Sequence, residues 1–253
     1  MKLAIMQPYF MPYLGYFQAI AAVDKYIIYE NLTFIKDAWM NRNRLIQKNG
    51  TILQINVPLL HKSSNTLISD IKIDNSQKWS DKILKMLVLN YKGAKYFDEI
   101  YNLIQEIFSI KYETLHELNS NCVVKIAKYL DIQTEIVFNN ENYIEFEEKL
   151  NHFDDYSLFP ELELTKPIKK VARVLEMCKM EGSNFFVNAI GGQELYSKDE
   201  FKKYGIDLYF IKMDDIKYKQ FSDEFVPYLS IIDVLMHNGK EGTKELLNRY
   251  TLV

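Results

Sequence analysis

A short apolar run from Lys2 to Met6 stops at Gln7-Pro8, the pattern of a buried strand entering a turn. Apolar residues then recur at helical spacing from Tyr13 to Val23, where Asp24 closes the stretch, and Lys25 to Tyr29 (Lys-Tyr-Ile-Ile-Tyr) is β-branched and aromatic. Strand, helix and strand in that order predict a βαβ unit and a parallel sheet. After a polar loop, Arg44 to Gln47 and Thr51 to Val57 predict two strands joined by Lys48-Asn49-Gly50, since Asn-Gly favours a hairpin turn. Leu67 to Ile73 alternates as a further strand. From Trp79 to Leu130 the period changes. Ile83, Leu84, Leu87, Val88 and Tyr91, then Ile100, Leu103, Ile104 and Ile107, then Leu115, Leu118, Val123, Ile126 and Leu130 form helical stripes, predicting three helices in series. Thr134 to Phe138 reads as a strand, and the Asn- and Glu-rich stretch Asn139 to Phe159 as a surface loop or mobile flap. Alternation then resumes: helix Ile168 to Met180, strand Asn184 to Val187, loop Asn188 to Gln193, helix Lys198 to Tyr204 and strand Asp207 to Ile211. A last helix, Ser230 to Met236, stops at Asn238-Gly239. The expected fold is α/β: one domain over residues 1–253, with an open, mainly parallel, Rossmann-like sheet and a helical insert at about 77–131.

Composition narrows the class without naming a chemistry. With 253 residues, 48% hydrophobic and 26% charged, the chain can bury a substantial core. The net charge of −3 comes with scattered Lys and Arg, so no extended nucleic-acid-binding face is expected, although a local anion site is compatible with it. Cys122 and Cys178 lie in helix-like stretches and form no Cys-x-x-Cys pair, which suits small core residues in a reducing compartment. Met1-Lys2 leads directly into a strand rather than an apolar signal region, and no window approaches the ~18 apolar residues of a spanning helix, so a cytoplasmic protein is expected.

Several constellations are candidates for function. Gln7, Pro8, Tyr9, Pro12, Tyr13, Gly15 and Tyr16 follow the first strand, and ligands of open parallel sheets bind at the carboxyl ends of strands. Gln7 suits hydrogen bonding to a base or amide, and Tyr9 and Tyr13 suit stacking on a base or sugar ring; the competing reading is a proline-stiffened turn that fills core. Lys36, Trp39, Asn41, Arg42, Asn43 and Arg44 offer forked donors for a phosphate or carboxylate. Alternation puts Arg42 and Arg44 on one face and Asn41 and Asn43 on the other, and a solvated strand edge would look similar. Asn188, Gly191 and Gly192 also follow a strand, where paired glycines serve either close ligand approach or merely a turn. Gln220 lies in a loop before the last helix. Ser230, Asp233 and His237 share a helix face, as base and orienter for an attacking amine or as cap and dipole partners without chemistry. His61, His116 and His152 have no partner at ligand spacing, so no metal site is expected.

Met6-Gln-Pro-Tyr-Phe-x-Pro-Tyr-Leu-Gly-Tyr-Phe-Gln18, Trp39-x-Asn-Arg-Asn43 and Tyr228-Leu-Ser-Ile-Ile-Asp233 with Asn238-Gly239 together resemble the three signatures of the WbqC-like family, over the whole chain. The resemblance implies a bacterial protein of surface-polysaccharide (O-antigen) gene clusters and, for some members, transfer of glycine to an amino sugar. The sequence departs from the pattern at Tyr29-Glu30-Asn31, where Tyr-Asp-Asp is expected. A second likeness is to nucleotidylyltransferase-type folds, in which Tyr13-Leu-Gly-Tyr16 would be the phosphate loop, Gly15 would admit the phosphates and Ser230 would cap a helix facing them. Tyr13 and Tyr16 stand where that loop carries histidines, and neutral phenols cannot match the charge of imidazolium.

The function these readings predict is a transferase placing an amino acid, glycine by the family resemblance, on the amino group of a nucleotide-linked sugar. The N-terminal loop with Arg42 and Arg44 would hold the nucleotide, and Asp233 with His237 would accept the proton. The donor is either glycine activated by ATP or glycine already esterified on a carrier. The alternatives are a non-catalytic nucleotide- or sugar-binding protein and an adenylyltransferase-like enzyme.

Overall fold

A computed structural model describes residues 1–152 and 169–253. Its centre is a six-stranded sheet in the order β5-β2-β1-β6-β7-β8, made by β1 (Lys2–Met6), β2 (Lys25–Ile28), β5 (Glu135–Val137), β6 (Phe185–Ala189), β7 (Asp207–Met213) and β8 (Tyr250–Leu252). The first five run parallel and β8 is antiparallel to β7. The predicted open, mainly parallel sheet is therefore present, and the chain order reverses between β1 and β6. In open parallel sheets such a reversal marks the place, at the carboxyl ends of the two strands, where ligands bind.

Alternate strand residues feed two cores. Ala4, Tyr26, Ile28, Val187 and Ile211 face α1 (Leu14–Ala21), α8 (Ile231–Leu247) and the helices of the insert, α2 (Trp79–Tyr91), α3 (Phe97–Phe108) and α4 (Leu115–Tyr129). Leu3, Ile27, Tyr29, Phe186, Leu208 and Phe210 face α5 (Ile144–Asn151), α6 (Lys169–Met180) and α7 (Lys198–Lys203). A sheet buried on both faces is what near-continuous apolar strands require. Helix α4 is fixed at its start by a reciprocal capping box between Thr114 and Glu117.

The hairpin forms as a separate two-stranded sheet, β3 (Arg42–Ile46) with β4 (Ile52–Asn56), and Gly50 supplies the positive φ of its turn. Leu67 to Ile73 is not a strand. It carries a 3₁₀ turn at Ile68–Asp70 and isolated bridges, because Ile68, Ile71 and Ile73 bury at irregular spacing. The predicted loop after Asn139 also differs: Tyr143, Phe146 and Leu150 bury at helical spacing and draw 144–151 into α5, while residues 153–159 of that stretch lie outside the described residues.

Asn238-Gly239 does not end the last helix. Gly239, at φ 65° and ψ −166°, kinks α8, which continues to Leu247. A Cβ there would fall 2.6 Å from the Tyr96 ring, so only glycine fits the bend.

Candidate functional site

At the switch point, Gln7 directly follows β1 and Asn188 lies near the end of β6, both half-buried. The Gln7 carbonyl accepts the Tyr16 hydroxyl at 3.0 Å, and its side-chain amide makes no hydrogen bond among the described residues. Asn188 Oδ1 accepts the amide of Ala189 at 2.8 Å. Gly192 packs on it, since a Cβ would meet Asn188 Nδ2 at 2.5 Å, whereas Gly191 faces open space. Gly192 therefore earns its place sterically and Gly191 does not.

The three sequence motifs meet just beyond the end of β1, held by their small polar residues. Asn43 Nδ2 donates to the carbonyls of Phe10 and Met11 at 2.9 and 2.7 Å, and Asn41 Nδ2 to Val57 O at 2.9 Å. Ser230 caps α8 by accepting Ile232 N–H and donates its hydroxyl to Met11 O at 2.8 Å. The backbone amides of Ser230 and Ile231 donate to Arg44 O and Pro12 O, and Phe10 N–H donates to Trp39 O. Asn41, Asn43 and Ser230 are all buried. Ser230 is a cap within the packing, with no face toward a phosphate. A Cβ on Gly15 would collide with the Tyr13 ring at 2.4 Å, so that glycine seats an aromatic neighbour.

What the motifs present outward is aromatic and cationic. Trp39 is 41% exposed and Tyr228 60% exposed. The Arg44 guanidinium lies 5.1 Å and that of Arg42 5.9 Å from the Trp39 ring, and Tyr13 meets Tyr228 edge-on at 6.1 Å. Arg42 is paired with Asp37. Arg44 donates one hydrogen bond, to Tyr228 O at 3.2 Å, while its Nε is buried with no partner and no carboxylate pairs with it among the described residues. Lys36 is exposed in the preceding loop. The alternation of Arg and Asn inferred from sequence thus sorts the arginines toward solvent and the asparagines into the packing.

The phenols of the first motif stay neutral. Burial raises the pKa of Tyr9, Tyr13 and Tyr16 above the ordinary value, with Tyr9 and Tyr228 adding to the effect at Tyr13. Tyr16 is fully closed in, and its hydroxyl is occupied by Gln7 O.

Asp233 and His237 are also enclosed. Asp233 has no exposed surface; Oδ1 accepts Tyr91 O–H at 2.7 Å, and Oδ2 accepts Tyr218 O–H at 2.6 Å and Gln220 Nε2 at 3.1 Å. His237 Nε2 stands 3.7 Å from Asp233 Oδ1, its pKa lowered by burial and partly restored by that carboxylate. Gln220 also spans Val226 in both directions, which pins the loop before α8. A carboxylate with a donor on each oxygen and no exposed surface is out of reach of a substrate proton. The arrangement locks α2, the 218–220 loop and α8 together.

A second carboxylate–imidazole pair lies at the strand ends. Glu30, just beyond β2, contacts His116 of α4; their side chains are 13% and 12% exposed. His116 Nε2 also faces Phe138 O at 2.9 Å, and Nδ1 faces Ser120 Oγ at 3.3 Å. Two acceptors at Nε2 put the hydrogen there, so Nδ1 accepts the serine hydroxyl. With that hydrogen aligned to Phe138 O, Glu30 Oε2 is left buried without an aligned donor. One turn along α4, Asn119 Nδ2 donates to Pro8 O and Met40 O. Asn140 Nδ2 donates to Ile28 O, and its own carbonyl accepts Asn31 Nδ2.

The WbqC-like protein family model matches residues 7–245. The chain belongs to the WbqC-like family. It is 28% identical over 244 residues to the uncharacterized protein Rv1507c of Mycobacterium tuberculosis, with 95% of each chain covered. No solved structure matches. All three motifs by which this WbqC-like chain resembles its family are thus brought together in the fold, along with Glu30, where the sequence departs from the expected acid.

Asn119 and Asn140 escaped the sequence reading, and His116 entered it only as a histidine without a partner at ligand spacing, because they sit far from any motif and only the sheet order brings 30, 116 and 140 together. The available signal was a polar cluster, His116, Asn119 and Ser120, on a helix whose other stripe is apolar. Among the described residues no group of three His, Cys, Asp or Glu side chains could hold a metal ion, and no helix is long and apolar enough to cross a membrane.

Proposed function

We propose that this WbqC-like protein is a transferase acting on a nucleotide-linked amino sugar in surface-polysaccharide assembly, with a glycyl unit as the group transferred. The observation that carries the reading is Arg44, half-buried, stacked on an exposed tryptophan and without a carboxylate partner among the described residues. A lone guanidinium beside open aromatic faces suits a ligand that is anionic at one point and planar at another. A nucleoside diphosphate has both features, and Gln7 offers a free amide at the switch point for the remainder of the molecule. Family membership supports the class of reaction, and the site supports the class of ligand.

In the transfer, the amine nitrogen bonds to the glycyl carbonyl carbon, the bond from that carbon to its activating oxygen group breaks, and the amine gives up a proton. The departing oxygen group takes up that proton, directly or through water, since Asp233 is too enclosed to receive it. The direct test incubates the protein with nucleotide amino sugars and either glycine plus ATP or a glycyl ester, and seeks the mass gain of one glycyl residue. Arg44→Ala should weaken nucleotide-sugar binding about tenfold. No mass gain with either donor across the panel overturns transfer.

A second reading, a non-catalytic nucleotide-sugar binder, is favoured by the filled oxygens of Asp233 and by the neutral Tyr13 and Tyr16. It predicts Arg44-dependent binding with no product. An adenylyltransferase would release pyrophosphate from ATP, and silence in that assay discards it.

A further inference from the structure

Three buried oxygens at the carboxyl ends of the strands have no aligned hydrogen-bond donor: Asn119 Oδ1, Asn140 Oδ1 and Glu30 Oε2, the last touched only by the His116 imidazole. The two amides cannot be turned to cure this, because each NH₂ group is already spent on backbone carbonyls, Pro8 and Met40 for Asn119 and Ile28 for Asn140. Asn119 and Asn140 are 0% and 1% exposed, so bulk water does not solvate them. Leaving such oxygens unpaired costs free energy each time, and a cluster of them is not what packing alone selects.

The three belong to one neighbourhood. Asn140 binds the end of β2 two residues before Glu30, Asn31 binds Asn140, His116 contacts Glu30, and Asn119 stands one turn from His116 on α4. Acceptors alone, one of them on a carboxylate, call for a group that is all donor and positively charged. Arg44 calls for the opposite, so the two places are chemically complementary parts of one ligand or of two co-substrates.

We propose that the ends of β1 and β2 bind a primary ammonium group, with Glu30 as its counter-ion, Asn119 and Asn140 as neutral acceptors, and His116 as the positioning residue of Glu30. A compact –NH₃⁺ has three donors and no acceptor, matching the three oxygens in number and sign. The group comes from the amino sugar or from free glycine. The inference deepens the proposed function in saying where the amine lies.

The test measures calorimetric affinity of the full chain for two matched pairs, UDP-glucosamine against UDP-glucose and glycine against glycolate. In at least one pair the amine should bind about tenfold tighter, Glu30→Gln should erase the preference while leaving the amine-free partner within about twofold, and Glu30→Asp should restore part of it. In wild-type protein, methylammonium should compete with the amine ligand and not with its amine-free partner, which needs no variant to fold. Equal affinities in both pairs, or a preference that survives Glu30→Gln, overturn the ammonium site. Failure of both UDP-sugars with an intact glycine preference overturns the nucleotide-sugar reading and leaves the ammonium site standing.

Discussion

The cluster around Asp233 and the strand ends around Glu30 are built from the same materials, a carboxylate beside an imidazole with amides near by. They differ in closure. At Asp233 the carboxylate receives Tyr91, Tyr218 and Gln220 and has no exposed surface. At Glu30 one oxygen is buried without an aligned donor, two nearby amide oxygens are likewise unpaired, and the side chain keeps some exposure. The contrast lies in the carboxylates: Asp233 has a donor on each oxygen, although His237 Nε2 beside it has no hydrogen-bond partner, whereas Glu30 Oε2 has capacity left for a donor. The residue types alone do not distinguish the two, and the donor count does.

Removing Asp233 should show the largest effect. Asp233→Ala strands two phenols and an amide in the core and should cost about 3 kcal/mol or more, read as a fall in the urea midpoint; a loss under about 1 kcal/mol would mean that the cluster does not hold the helices together. Asn43→Ala should come next, at about 2 kcal/mol, because the Phe10 carbonyl loses its side-chain donor and the Met11 carbonyl keeps only Ser230 Oγ. Arg44→Ala inverts the pattern: stability should change by less than about 1 kcal/mol while nucleotide-sugar affinity falls about tenfold, and the opposite order would make Arg44 a structural residue.

The smallest effect is the pH response of His237. An imidazole pushed below its ordinary 6.5 stays neutral in the folded chain while the unfolded chain takes up a proton. Its contribution is therefore whole above about pH 6.5 and declines as pH falls below that value toward the folded pKa. Denaturation midpoints for wild type and His237→Gln should converge as the solution is acidified and stay parallel above neutrality.

Much of the sheet was legible in the chain, because β1, β2, β6 and β7 are apolar runs whose two faces are both buried. β8 was not, since Tyr250 to Leu252 is too short to carry a period and draws its order from pairing with β7. The kinked continuation of α8 hid behind Asn238-Gly239, a stop signal that Tyr96 converts into a bend. For the site, the motifs were visible, and so was the split of Arg from Asn by alternation. Which acids stay open was not: Asp233 and Glu30 look alike in a sequence, and their difference rests on Tyr91, Gln220 and Asn140, each far away along the chain.

The clasp between the first and last motifs also sets a timetable. Met11 O and Pro12 O are met by Ser230 Oγ and Ile231 N–H, more than two hundred residues downstream. At about 5–20 residues per second of synthesis, the first motif waits on the order of ten to forty seconds for its partner to be made. During that interval Phe10, Met11 and Phe17, all fully buried in the finished protein, lack their final cover. The nascent chain thus exposes this apolar segment before the residues that clasp it have been made, so the ribosome-bound intermediate carries uncovered surface that the finished fold does not.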